Sequence, residues 1–208
     1  MRFDLYSLIH KAQRERLFKL SIKIAKENLS ESVQVSSIKE DLGNMISHLR
    51  KHADNEERFI HPLFHVCEDQ AALLEVQHSQ IETLLDELQT LISTNSLDEL
   101  YSLFNRFISR YLEHIALEEG IQKDLLWKHF SDEDLKGVMQ RFKQSLSPEE
   151  NMESLEFMLP CLSVCEVRNM LMLIKKTDSQ NIVQKVSLII ERAFSKSEWE
   201  EINLPQYP

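Results

Sequence analysis

Glycine and proline are scarce in this 208-residue chain, three and five residues respectively. Loop-rich proteins and β-sandwiches draw on both for their turns, so the shortage disfavours them and makes an all-α fold the default. Cysteine is scarce too. Cys67, Cys161 and Cys165 are odd in number and form no CxxC pair, which argues against a disulfide framework and a zinc ribbon. Cys161 and Cys165, four apart, read as plain buried or half-buried thiols. No run of 18 uninterrupted apolar residues exists, so no membrane span is expected. The N-terminus, MRFDLYSLIHKAQRER, carries Asp4 early and lacks an apolar core before a small-residue cleavage site, so it does not read as a signal peptide and a cytoplasmic location is expected. Basic charge is in deficit as well: 24 Lys and Arg face 34 Asp and Glu, a net charge of −10. That balance argues against a nucleic-acid partner, which needs clustered cations, and modestly concentrates cations near the surface.

What is present is helical periodicity. A first helix is predicted after Asp4 with Leu5, Leu8, Ile9, Leu17, Leu20, Ile24 and Ala25 on three-four spacing, ending in the polar stretch from Glu27 to Ser32. A second starts near Ser36 or Ser37 and runs through Met45, Ile46, Leu49, His52, Glu56, Phe59 and Ile60 until Pro62 stops or kinks it. A third opens near Asp69 and carries Leu73, Leu74, His78, Ile81, Leu84, Leu85, Leu88 and Leu91 until Thr94-Asn95. The capping box Ser96-Leu97-Asp98-Glu99 opens a fourth through Phe104, Phe107, Ile108, Tyr111 and Ile115, with Gly120 a kink or weak point. The connections are short, so the four helices are expected to form an up-down-up-down four-helix bundle over residues 1–130. Residues 131–208 add helix starts at Ser131, Ser147-Pro148 and Ser163 and a last helix from about Asp178 to Phe194. They read as a C-terminal helical extension packed on the bundle; the Met- and Leu-rich stretch 167–174 is core, with a partner surface or dimer seam as the alternative.

Three Glu residues stand four places after a His, in three different predicted helices: His52/Glu56, His78/Glu82 and His114/Glu118. Four residues turn a helix by about 400°, so each pair projects from one face, one turn apart. With eight His and 24 Glu the spacing arises about once by chance, and it occurs four times. The fourth instance, His129/Glu133, straddles a helix start and is discounted. His10, alone in the first helix, completes the set. Imidazoles and carboxylates are borderline and hard donors that suit iron or manganese better than copper or a thiolate-type zinc site. Four helices turning them inward are the ingredients of a dinuclear metal site, in which a carboxylate can bridge two ions while imidazoles bind terminally.

The runs His10-Lys-Ala-Gln-Arg, His52-Ala-Asp-Asn-Glu56-Glu57, His78, and His114-Ile-Ala-Leu-Glu118-Glu119 resemble the hemerythrin-like, HHE cation-binding family over about residues 5–130. Asp4-Leu-Tyr-Ser-Leu-Ile-His10-Lys and Arg58-Phe-Ile-His61-Pro62-Leu are similar to its bacterial members. The resemblance implies a four-helix bundle around a non-haem di-iron centre that binds dioxygen or related small molecules. By position, His10 and His52 would bind one iron, His78, Glu82 and His114 the other, and Glu56 and Glu118 would bridge. Two departures stand out. Oxygen-carrying hemerythrins have a second His where Glu82 stands, and an Asp five after the fourth-helix His, where this chain has Glu119 behind Glu118. Glu118 is about 40° from His114 around the helix and Glu119 about 140°, so Glu118 is the expected ligand. Glu82 in place of an imidazole would favour the ferric state and weaken reversible dioxygen release, which points away from a simple carrier.

Residues nearby fall outside this set. His48 lies one turn before His52, His61 and His65 at or past Pro62 read as surface or capping residues, and Tyr111 reads as a core aromatic. The expected cofactor is two Fe ions, with Mn or Zn as alternatives. The expected partners are a small diatomic ligand or an oxide or hydroxide bridge, with a protein partner or a homodimer through the C-terminal helices. The favoured reading is a non-catalytic module that binds or senses dioxygen, nitric oxide or iron. A di-iron oxidoreductase acting on peroxide or ferrous iron comes second, and a zinc-bound or metal-free helical interaction protein third.

Overall fold

A computed structural model describes residues 2–27, 31–66, 68–94, 98–177 and 180–203, with backbone alone at 65, 66 and 68–71. Among these the chain is all-helical and contains no strand. In order come α1 (Ser7–Lys26), α2 (Ser32–Phe59), a 3-10 turn (His61–Val66), α3 (Glu68–Thr94) and α4 (Leu100–Ile121). A π-helical turn (Gln122–Leu126) and the short α5 (Trp127–His129) follow, then α6 (Asp132–Ser145) and α7 (Pro148–Met158). A second 3-10 turn (Leu159–Cys161), α8 (Val164–Thr177), α9 (Gln180–Ala193) and α10 (Lys196–Asn203) complete the described chain. The capping box read at Ser96, together with Cys67 and Asp178, lies outside the described residues.

The helix ends follow local chemistry. Asp4 Oδ1 accepts hydrogen bonds from the backbone N–H groups of Tyr6 and Ser7 at 2.9 and 2.8 Å, supplying partners to donors at the start of α1. Ser147 accepts from Glu150 N while Glu150 reaches back to Ser147 N, a full capping box with Pro148 at the first helical position. Ser131 with Asp134 and Ser163 with Glu166 repeat the reciprocal arrangement for α6 and α8. Three places differ from the sequence expectation. α4 begins at Leu100, after the capping box expected over residues 96–99, and its cap residue Glu99 makes no side-chain capping bond. α2 begins at Ser32, about a turn before Ser36, because the Ser36 hydroxyl bonds back to the Ser32 carbonyl inside the helix instead of capping it. α10 was not anticipated, although Ser195 and Glu198 cap it as the other boxes do.

The chain forms two compact units. The first takes in residues up to Ser7 and Arg16–Phe142. Its helices present buried apolar stripes: Leu17, Leu20 and Ile24 from α1, Ile38, Leu42, Met45, Ile46 and Leu49 from α2, Ile81, Leu84, Leu85 and Leu88 from α3, and Phe104, Phe107, Ile108, Tyr111 and Ile115 from α4. Cross-links add to the packing: Lys23 of α1 bonds Ser37 and Asp41 of α2, each at 2.6 Å, and Ser21 of α1 bonds Asn105 of α4 at 2.8 Å. At one end a separate cluster of Leu5, Tyr6, Phe64, Leu74, Ile121, Leu126 and Leu135 ties the N-terminal residues to the 3-10 and π turns. Gly120 does not break α4, which runs through it to Ile121 before the π turn widens the helix. The first residue of that turn, Gln122, is fully buried; its Oε1 accepts from Leu5 N at 2.7 Å and its Nε2 donates to Asp4 Oδ1 at 3.1 Å. Burial alone would raise the Asp4 pKa, but the bonds from Ser7, Gln122 and Tyr6 outweigh it and hold the carboxyl below its ordinary value.

The second unit joins Leu8–Glu15 to the described residues from Lys143 onward. Its core is Leu159, Leu162, Val167, Leu171, Ile174, Val186, Ile190 and Ile202, with Leu8, Trp199 and Phe194 packed against it. Lys11 pairs with Glu166 at 2.6 Å, and Arg168 of α8 donates to the Glu201 carbonyl of α10 at 2.6 Å.

Candidate metal centre

The first unit assembles donors from α2, the 3-10 turn, α3 and α4. On α2, His52 Nε2 lies 2.9 Å from Glu56 Oε1, one turn on, and the two side chains are 13% and 3% exposed. The helix stops at Phe59 just ahead of Pro62, and the chain folds at once into the 3-10 turn. Phe64, buried in the end cluster, anchors that turn. The turn directs His61 inward: its ring stacks on His78 of α3, with centroids 5.0 Å apart and planes 21° apart, and on Phe64 at 5.1 Å and 27°. From α4, His114 and Glu118 project one turn apart, His114 Nε2 lying 3.3 Å from Glu118 Oε1. His78 Nε2 stands 3.0 Å from His114 Nε2 and 4.0 Å from Glu118 Oε1. Ligand atoms of Glu56, His61, His78 and Glu118 all lie within 4.8 Å of one another.

Two imidazole nitrogens facing each other at 3.0 Å either share one proton or present two lone pairs to one cation. Gln77 favours the second arrangement, because its Oε1 lies 3.2 Å from His114 Nδ1. If Nδ1–H donates to Gln77, His114 Nε2 is left as a lone pair. Burial, then the nearby His114, push His78 down to about 4 against the pull of Glu118 and Glu56. Its ring is therefore neutral at pH 7, the form that binds a metal. Burial also lowers His61, opposed by the carboxylates of Glu56, Glu118 and Glu57.

The residues singled out in the sequence do not all arrive here. His52, Glu56, His78, His114 and Glu118 do. Glu118 is fully buried whereas Glu119 is half-exposed, as their 100° separation on α4 requires. His10 is fully buried on α1, within the stretch belonging to the other unit. Glu82 is not brought in: its side chain is 52% exposed and its Oε1 accepts from Arg50 Nε at 2.8 Å. The buried stripe of α3, Leu74, Ile81, Leu85 and Leu88, lies to one side of His78, and Glu82 sits about 40° farther round on the opposite side, toward Arg50 and Asp86. His61 corrects the expectation of a surface or capping residue, since its Nε2 is buried inside the group. The side chain of His65 lies outside the described residues.

Buried imidazoles paired with buried carboxylates, without a thiolate among them, define a candidate cation-binding centre in an all-helical protein. Residues 2–126 match the hemerythrin HHE cation binding domain, and the chain belongs to that family. No curated protein and no solved structure matches it. Among the described residues no helix is long and apolar enough to cross a membrane.

Proposed function

We propose that the N-terminal unit is a non-haem di-iron module that binds or senses dioxygen, nitric oxide or iron in the cytoplasm. The observation that carries this reading is the convergence of Glu56, His78 and Glu118, with His114 beside them, three of the four being buried. Buried carboxylates beside neutral imidazoles are costly unless a cation compensates them, and this donor mixture suits iron or manganese. In this reading α1 to α4 form an up-down-up-down four-helix bundle. Within the unit His52, Glu56, His78, His114 and Glu118 would hold the ions, the imidazoles as neutral donors and the carboxylates as the compensating charge. When bound, two such ions supply a redox-active pair with a coordination position left for a small ligand.

The chain's own residues do the rest. Gln77 holds the His114 ring and its tautomer, the buried Tyr111 ring lies 6.2 Å from that ring, and burial keeps His78 unprotonated at neutral pH. A sensor also needs an output, and the helices after α6 are the surface through which we expect a protein partner or a second copy to read the site.

Elemental analysis of protein from iron-supplemented cells, followed by anaerobic Fe2+ titration and exposure to dioxygen and nitric oxide, tests the proposal. Near two irons per chain and a stoichiometric spectral change with either gas is the expected result. A single zinc, or no transition metal after reconstitution, would overturn it.

A further inference from the structure

Resting on that reading, we infer that His61 is a metal ligand of the centre, delivered by the 3-10 turn at the end of α2, in the role that helical spacing assigns to Glu82. Four observations support this. His61 Nε2 is buried and has no hydrogen-bond partner among the described residues, although a buried ring nitrogen ordinarily finds one. Its ligand atom lies within 4.8 Å of those of Glu56, His78 and Glu118. The ring is held between His78 at 5.0 Å and Phe64 at 5.1 Å, so its plane is set by packing before any ion arrives. Glu82, meanwhile, faces solvent in an ion pair with Arg50 and would have to abandon it and cross the face of α3 to reach His78 Nε2.

The exchange changes the electrostatics of the site. Glu82 as a ligand would make three carboxylates and leave two ferrous ions a residual charge of +1. His61 in its place leaves Glu56 and Glu118 as the carboxylates and raises that residual charge to +2. A more positive centre holds the ferrous state more firmly and receives an anionic ligand more readily than the carboxylate-rich centre suggested by spacing alone.

The test uses the full chain with His61→Phe, which retains a stacking ring, and Glu82→Gln. Anaerobic competition titrations with Fe2+ and Co2+ give affinity and stoichiometry. Groups that merely orient a ligand contribute about 10–100-fold to metal affinity, so loss of a ligand should cost at least about tenfold at one of the two ions. His61→Phe is expected to show that loss and Glu82→Gln wild-type binding. Wild-type affinity in His61→Phe, or the larger loss in Glu82→Gln, overturns the inference while leaving the di-iron reading intact. A wild-type protein that takes up neither metal overturns both. Should His61→Phe fail to fold, the Co2+-loaded wild-type protein decides by NMR. One more hyperfine-shifted ring N–H than the other ligating histidines supply is expected, and no extra signal refutes the assignment.

Discussion

His48 gives the sharpest quantitative prediction, because it is held below its ordinary pKa without belonging to the group of candidate ligands. Burial, followed by the charges of His52, Arg16 and Lys51, pushes its pKa from 6.5 down to about 3. The folded pKa lies below the unfolded one, so the unfolded chain binds the proton first as the pH falls. Stability is complete above pH 6.5 and is withdrawn progressively down to about pH 3. Between pH 7 and pH 5 the linkage relation gives a loss of about 2 kcal/mol from this one ring, at about 1.4 kcal/mol per pH unit once the unfolded state is protonated. His48→Gln removes the titration while keeping a polar side chain of similar length. Urea unfolding of chelator-treated protein at pH 7, 6 and 5, followed by circular dichroism, should show wild type losing about 2 kcal/mol more than the variant across that range. Metal must be absent, since its binding has its own proton dependence. Parallel stability curves for the two proteins would mean that His48 is not held neutral by the fold, and the burial argument for it would be wrong.

Other outcomes follow from single contacts. Gln77→Ala should leave the protein folded and lower metal affinity about 10–100-fold in competition titrations, because His114 loses the partner of its Nδ1. Gln122→Leu strips the buried Leu5 N–H of its acceptor and Asp4 of a donor, and should cost about 1–3 kcal/mol in urea unfolding with metal stoichiometry unchanged. Ser147→Ala breaks the capping box of α7 and should cost about 1 kcal/mol, read in the same assay, again without touching metal content.

The helices were legible where a local signal decides them. Ser147-Pro148-Glu149-Glu150 announces α7 because cap, proline and returning carboxylate all act within one turn. The same kind of signal, Ser195 with Glu198, stands before α10, but the eight residues behind it offer little periodicity to confirm a helix. Ser36 misled for the opposite reason. A serine near a helix start can cap or can bond back to the preceding turn, and the buried Ile38 and Leu42 carried the helix back past it to Ser32. The π turn after Ile121 had no usable signature, because it is held by Gln122 and Asp4, which are 118 residues apart.

The site divides along the same line. His52 with Glu56 and His114 with Glu118 could be read from spacing, since the relation within each pair is set by one helix alone. Spacing says that His78 and Glu82 share a face but not which edge of that face meets the core. The buried stripe of α3 lies on the far side of His78 and leaves Glu82 to Arg50. His61 failed differently: Pro62 correctly marks the end of α2, yet the end of a helix does not say where the next residues go. Tertiary packing answers that. Phe64 inserts among Tyr6, Leu74 and Leu126, and the turn it anchors carries the His61 ring back against His78. Helical periodicity thus nominates Glu82, which the fold leaves in an exposed ion pair with Arg50, while a turn that no periodicity could nominate brings the His61 ring against His78.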